Sequence, residues 1–248
     1  MLIDTHCHIH EPYELSIDKV LEDAAEAGVG EYICIGTSEE SSRLAIDFVR
    51  LHQEAYAAIG VHPHDTKDGY SAINDLAGTS SKIVAVGEIG LDYFYTHSSR
   101  EVQMEALEVQ IQIALRHDLP IIFHVREAFD DFWPIFDKYP GIRGEMHSFT
   151  DTSANLQKAL ERGLYIGVNG ISTFTKDEVQ KNTFDSIPLD RLLLETDAPF
   201  LTPAPLRGKV NQPAYVKLVA EYHANRRGIS LEDIADATTA NARKLFTI

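Results

Sequence analysis

The stretch that decides the fold is MLIDTHCHIH, residues 1–10. Its first half is apolar and strand-like, over residues 2–6, and its second half is crowded with histidine. Along a strand, residues two apart point to the same face. His6 and His8 therefore share a face, while Cys7 points into the wall. Asp4 lies on the ligand face but deeper, as a support for the layer below. His10 falls after the strand has ended and has no ligand role. Imidazoles are the commonest metal ligands, so the same-face pair reads as the beginning of a metal site at the C-terminal end of a strand.

The same pattern recurs along the chain. Short apolar runs are predicted as strands at 2–6, 31–36, 55–60, 82–88, 120–124, 143–147, 164–169 and 191–196. Longer amphipathic stretches between them are predicted as helices, at 15–27, 40–53, 100–117, 127–138 and 153–162. Two more follow near 212–227 and 231–246. Val102, Ala106, Val109, Ile113 and Leu115 give the helix at 100–117 a partial apolar stripe, with Ser99 as its N-cap. Residues 71–75 carry a weaker helical signal, and 174–185 is ambiguous. Eight β-then-α units predict an α/β protein with a (β/α)8 TIM-like barrel and a metal site at the C-terminal strand ends. A doubly wound open sheet is the rival, but no glycine-rich nucleotide fingerprint follows the first strand. No linker, repeat or low-complexity segment divides the chain, so residues 1–248 are expected to form a single domain.

The polar residues cluster at strand ends. Strand 1 ends with His6 and His8, and strand 3 leads into GVHPH with His62 and His64. Strand 4 ends at Glu88, followed by Asp92. Strands 5 and 6 end at His124 and His147, and strand 8 at Glu195 and Asp197. One histidine at a strand end is ordinarily a hydrogen-bonded rim residue. Of these ten metal-capable residues, six drawn from five strands form a constellation. Four histidines and two carboxylates suit two divalent ions, which lower the pKa of a bound water and stabilise charge on a phosphoryl or carbonyl oxygen. The mixed nitrogen and oxygen donors fit Zn, Mn, Co or Ni, and Mg less naturally. Asp197 is well placed to take the proton of the attacking water.

Composition sets limits. The net charge is −16, which opposes non-specific attraction to phosphate. No apolar run reaches the length that spans a bilayer, and no basic segment followed by an apolar one begins the chain. No membrane association is expected, and no obligate protein partner is evident. Two cysteines, Cys7 and Cys34, sit in strand-like runs and are read as buried thiols of a cytoplasmic protein.

The segments DTHCHIH, GVHPH, GEIGLDYFY, PIIFHVREA, GLYIGVNGISTF, LLLETDAPFLTP, RGKVNQPAYV and TTANARKLF, in this order, span nearly the whole chain. Together they resemble the TatD family of metal-dependent hydrolases, among the amidohydrolase-like barrels. The resemblance implies hydrolysis of phosphodiester bonds in nucleic acid, as a 3′–5′ exodeoxyribonuclease acting on an end of single-stranded DNA. It implies His6, His8, Glu88, His124, His147 and Asp197 as metal ligands. His6, His8 and Asp197 would hold one ion, His124 and His147 the other, with Glu88 bridging, and Glu88 and Asp197 as the catalytic carboxylates. Where many amidohydrolases bridge through a carboxylated lysine, this strand end carries Glu88. Lys82 lies at the opposite end of the strand. After strand 6 the family usually shows His-Cys-Phe-Ser-Gly, whereas residues 147–151 read HSFTD. The ligand histidine and Phe149 remain, while the small residues that shape the pocket change.

Around the metals, His62, Arg126, Arg207 and Lys209 are the candidate substrate contacts. His62 stands at the pocket mouth, and Arg126 follows His124 by two; its rival role is an ion pair with Glu127. Arg207 and Lys209 belong to the one concentrated basic loop, 206–213. Asp92 is read as orienting a ligand histidine, and Glu195 as a similar support or a wall residue. Trp133 is read as helix packing rather than a stacking surface for a base. The alternative function on these residues is an amidohydrolase or ester deacylase acting on a small molecule or aminoacyl-tRNA.

Overall fold

In the computed structural model, which describes residues 1–248, the strand carrying Glu88 runs four residues beyond its predicted end. It spans Ile83–Asp92 and is buried throughout. The extension depends on Gly90, where a Cβ would collide with the carbonyl oxygen of His124. Without that side chain the strand continues beside its neighbour as far as Asp92↔Arg126.

Eight strands make one sheet in chain order: β1 (Leu2–Cys7), β2 (Val29–Ile35), β3 (Ala55–Ile59), β4 (Ile83–Asp92), β5 (Ile121–Arg126), β6 (Gly144–Met146), β7 (Tyr165–Val168) and β8 (Leu192–Leu194). Helices α1 (Ile17–Ala27), α2 (Glu39–Leu51), α3 (Ile73–Leu76), α4 (Arg100–Arg116), α5 (Phe129–Phe136), α6 (Ser153–Glu161), α7 (Ile171–Phe174), α8 (Glu178–Asp185), α9 (Val216–Arg227) and α10 (Leu231–Phe246) alternate with them. The order and alternation are those of a (β/α)8 barrel. No helix is long and apolar enough to cross a membrane. By internal contacts the chain divides into two compact units, Met1–Cys34 with Ser148–Ile248, and Ile35–His147.

In the first unit β1 pairs in parallel with β2, with Asp4↔Tyr32 and Cys7↔Cys34 as partners, and β7 pairs with β8. Cys7 and Cys34 are free and buried, and the Cys7 thiol donates to the Ile33 carbonyl at 3.5 Å. The ambiguous stretch 174–185 begins at the last residue of α7 and, after a short connection, forms α8. Asp177 starts the second of these by accepting from the Val179 and Gln180 amides. Helix α10 begins in a capping box, Ser230 with Asp233, and buries Ile234, Leu245 and Phe246.

In the second unit α4 departs from its predicted stripe. It is capped by Ser99 as expected, but its buried face includes Gln103 and Gln110, and Val109 is exposed. Each glutamine grips a strand end. Gln110 accepts from the Val61 amide and donates to the Val61 carbonyl. Gln103 does the same at Asp92. Fully hydrogen-bonded amides can be buried at little penalty, and these two fix the backbone beside His62 and at Asp92. Helix α5 buries Phe129, Phe132, Trp133 and Phe136, with Phe132 also stacked edge-on against Phe123. Trp133 is a packing residue.

Candidate metal centre

The donors sort into one group in each unit. In the first, β1 ends at Cys7, so His6 is its penultimate residue and His8 lies just beyond it. Both rings are buried and edge-on to one another. Their Nε2 atoms lie 3.6 and 3.3 Å from Oδ1 of Asp197. Asp197 follows β8 with φ +59, a left-handed conformation that Asp tolerates better than most residues. Its amide donates to the His6 carbonyl at 2.8 Å. Asp4 secures this arrangement: Oδ1 accepts from the Thr196 amide at 2.8 Å and Oδ2 from the Thr196 hydroxyl at 2.5 Å. Burial pushes the Asp4 carboxyl up to about 8. His10 packs beside His8, with burial lowering its pKa to about 3.

The second group is built around Glu88 and Asp92. Oε1 of Glu88 has His124 Nδ1 at 2.8 Å, His147 Nε2 at 3.7 Å and His62 Nε2 at 3.8 Å. His124 Nε2 reaches Oδ2 of Asp92 at 3.0 Å, and His64 Nε2 reaches the same oxygen at 3.0 Å. Burial by itself would lower the His124 pKa, but its hydrogen bonds to Asp92 and Glu88 prevail and raise it to about 9. Burial likewise opposes ionisation of Asp92, yet the bonds from His124 and the Tyr95 amide hold it below the usual carboxylate range. His62 is different in kind. Its Nδ1 accepts from the His64 amide at 3.1 Å, so the neutral ring carries its proton on Nε2. Burial, then the nearby His124, keeps it neutral. It therefore offers an N–H donor rather than a lone pair.

Both groups suit a divalent ion. His6, His8 and Asp197 bring three ligand atoms within 4.8 Å of one another, and in the second group Nδ1 of His124 and Nε2 of His147 stand 2.8 and 3.7 Å from Oε1 of Glu88. Metal bonds of 2.0–2.2 Å in a tetrahedral site separate ligand atoms by about 3.3–3.5 Å, close to the 3.3 and 3.6 Å spacings around Asp197. An ion in the second group must take the Nδ1 position of His124, which leaves Nε2–H on Asp92. A carboxylate behind a ligand histidine is the usual support of such sites.

Of the candidate substrate contacts, His62 stands beside Glu88. The Arg126 guanidinium lies over the Phe94 ring at 3.8 Å and the Tyr95 ring at 5.2 Å. Arg207 stacks over Phe174 at 3.9 Å and donates to the Thr202 carbonyl, and Lys209 is exposed in the same loop. Glu195 is a support: Oε1 accepts from the Ser148 amide and from Asn169 Nδ2. In the HSFTD segment, Ser148 takes φ +47 and its hydroxyl accepts from Asn169, while Asp151 accepts from Thr152 and Asn155 at the start of α6. The sequence reading passed over Phe94, Tyr95 and Asn169. The only signal for the first two is the aromatic run YFY directly after Asp92.

A profile of the family described as TatD related DNase matches residues 3–247. The uncharacterized metal-dependent hydrolase YabD of Bacillus subtilis (strain 168) is 38% identical, with all of both chains covered. The 3′-5′ ssDNA/RNA exonuclease TatD of Citrobacter rodentium (strain ICC168) is 36% identical over 93% of this chain and 92% of its own. The crystal structure of YJJV, a TatD homologue from Escherichia coli K12, superposes with a TM-score of 0.91 at 31% identity, covering 100% of this chain and 98% of that one.

Proposed function

The chain belongs to the TatD-related DNase family of metal-dependent hydrolases, and from that premise we propose that it removes nucleotides from the 3′ end of single-stranded nucleic acid, DNA by preference. The observation that carries this reading is the pair of histidine–carboxylate groups at strand ends, each with two ring nitrogens gathered around one carboxylate oxygen. The exonuclease name of the Citrobacter relative supports the substrate class.

In this reading His6, His8 and Asp197 hold one ion, and Glu88, His124 and His147 hold a second. Bound there, divalent ions lower the pKa of water and polarise the scissile phosphoryl group. The protein's own groups do the rest. Asp197, whose side chain keeps 15% exposure, accepts the proton of the attacking water. Asp92 holds the His124 ring in the tautomer that offers Nδ1. The His62 N–H donates to a phosphate oxygen of the substrate. Arg207 and Lys209 meet the nucleic-acid backbone, since a stacked guanidinium keeps unused donors. We read residues 1–248 as one catalytic domain, because no linker, repeat or low-complexity segment divides the chain, and we place it in the cytoplasm.

The test is digestion of labelled single-stranded DNA and RNA of both end polarities with Mg, Mn, Zn, Co and Ni. Metal-dependent release of mononucleotides from the 3′ end, lost in Glu88→Ala, is the expected result. Intact nucleic acid under every metal overturns it. The net charge of −16 favours one second reading, a small-molecule amidohydrolase or ester deacylase. Turnover of an amide, ester or lactone with nucleic acid untouched would establish that instead.

A further inference from the structure

The loop after β4 carries two large aromatic side chains that the fold leaves open. Phe94 is 47% exposed and Tyr95 44% exposed, edge-to-face at 4.7 Å. Most exposed apolar residues are scattered singly and need no explanation. These two are adjacent, and the exposed Arg126 guanidinium lies over both rings. His97 stacks on Tyr95 from the same loop at 5.7 Å.

The loop is also fixed to the catalytic centre. Oδ1 of Asp92 accepts from the Phe94 amide at 2.9 Å and the Tyr95 amide at 3.0 Å. Oδ2 of the same carboxylate accepts from His124 and His64. One side chain thus sets the position of the aromatic pair relative to a metal-site histidine. The Tyr95 ring itself lies edge-on to that of His64 at 5.3 Å, so a group seated on the rings lies close to this donor group.

Resting on the nucleic-acid reading above, we propose that Phe94, Tyr95 and the Arg126 guanidinium form a stacking platform for the base of the nucleotide at the cleaved end. Three features select this occupant. Flat rings with a delocalised cation complement a heteroaromatic face better than an aliphatic one. Arg126 adds positive charge where the flanking phosphate must come. A net charge of −16 opposes non-specific attraction to phosphate, so base stacking adds affinity to the few cationic contacts. Stacking is indifferent to base identity because every base has a π-face.

The experiment measures binding of a fluorescein-labelled, hydrolysis-resistant oligo(dT) by anisotropy, with Mn2+ present. Phe94→Ala/Tyr95→Ala is expected to weaken binding about ten- to a hundred-fold, the range for one or two lost stacking contacts. Phe94→Trp, which keeps a flat ring at that position, binds like the wild type. Leu51→Ala, which removes an exposed apolar side chain at the end of α2, leaves it unchanged. An oligonucleotide whose 3′-terminal residue is abasic binds the wild type as weakly as the intact one binds the double variant. Equal affinity of wild type and folded double variant for the intact oligonucleotide overturns the platform. So does a wild type that ignores the missing base. Either result leaves 3′ digestion standing, whereas a wild type that neither binds nor cleaves nucleic acid overturns both readings.

Discussion

Asp92 is the residue on which most of the second donor group depends. Its two oxygens accept from two ring nitrogens and two backbone amides. Asp92→Asn presents an amide N–H to rings that must themselves donate. Metal affinity measured by titration is expected to fall about ten- to a hundred-fold, the usual effect of removing a ligand's hydrogen-bonded support. Unchanged affinity would show that His124 is held by other means. Asp197→Asn keeps shape and an oxygen ligand but loses the proton acceptor. Steady-state turnover is expected to drop about 10²–10⁴-fold with KM little changed, the range for a lost general base. The sequence indicated His6 and His8 through their spacing of two. It could not show that Asp92 serves two histidines, since His64 and His124 lie 28 and 32 residues away in the chain.

At the scale of elements, the contact of β4 with β5 is the most demanding. A side chain at Gly90 would collide with the His124 backbone, and a backbone atom cannot swing aside as a long side chain can. Gly90→Ala is therefore expected to force β4 and β5 apart locally, lower the melting temperature by several degrees, and weaken metal binding together with it. A variant that melts like the wild type and binds metal normally would contradict this. Helix α4 shows why the predicted stripe was out of phase. Hydrophobic periodicity counts glutamine as polar, yet Gln103 and Gln110 are buried because backbone groups at Asp92 and Val61 satisfy them. The same blindness to partners hid the extension of β4, since the sequence "IGLD" reads as a loop until its neighbouring strand is known.

At the scale of the molecule, ligand occupancy and pH should both register in stability. Metal that binds only the folded chain stabilises it by about 2.7 kcal/mol at a hundred times its Kd. Addition of a chelator is thus expected to lower the melting temperature by several degrees, and no shift would mean that no ion was bound. His223 is buried, donates from Nε2 to the Ser172 hydroxyl, and is pushed by burial down to about 3. The unfolded chain takes up that proton near pH 6.5 and the folded chain does not. Stability from this residue is complete above pH 6.5 and declines as pH falls toward 3, by up to about 1.4 kcal/mol per unit. Urea unfolding of His223→Gln between pH 4 and 7 should show a shallower acid limb than the wild type; an equally steep limb would assign the effect elsewhere. The sequence by itself determined the fold class and which donor side chains stand at the strand ends, because strand periodicity and strand-end chemistry are local patterns. Tertiary structure decided which donors share a carboxylate, that His62 offers a proton while His124 can offer a lone pair, and that Phe94 and Tyr95 stand open beside Arg126. Those are contacts between residues far apart in the chain, and only packing fixes their distances.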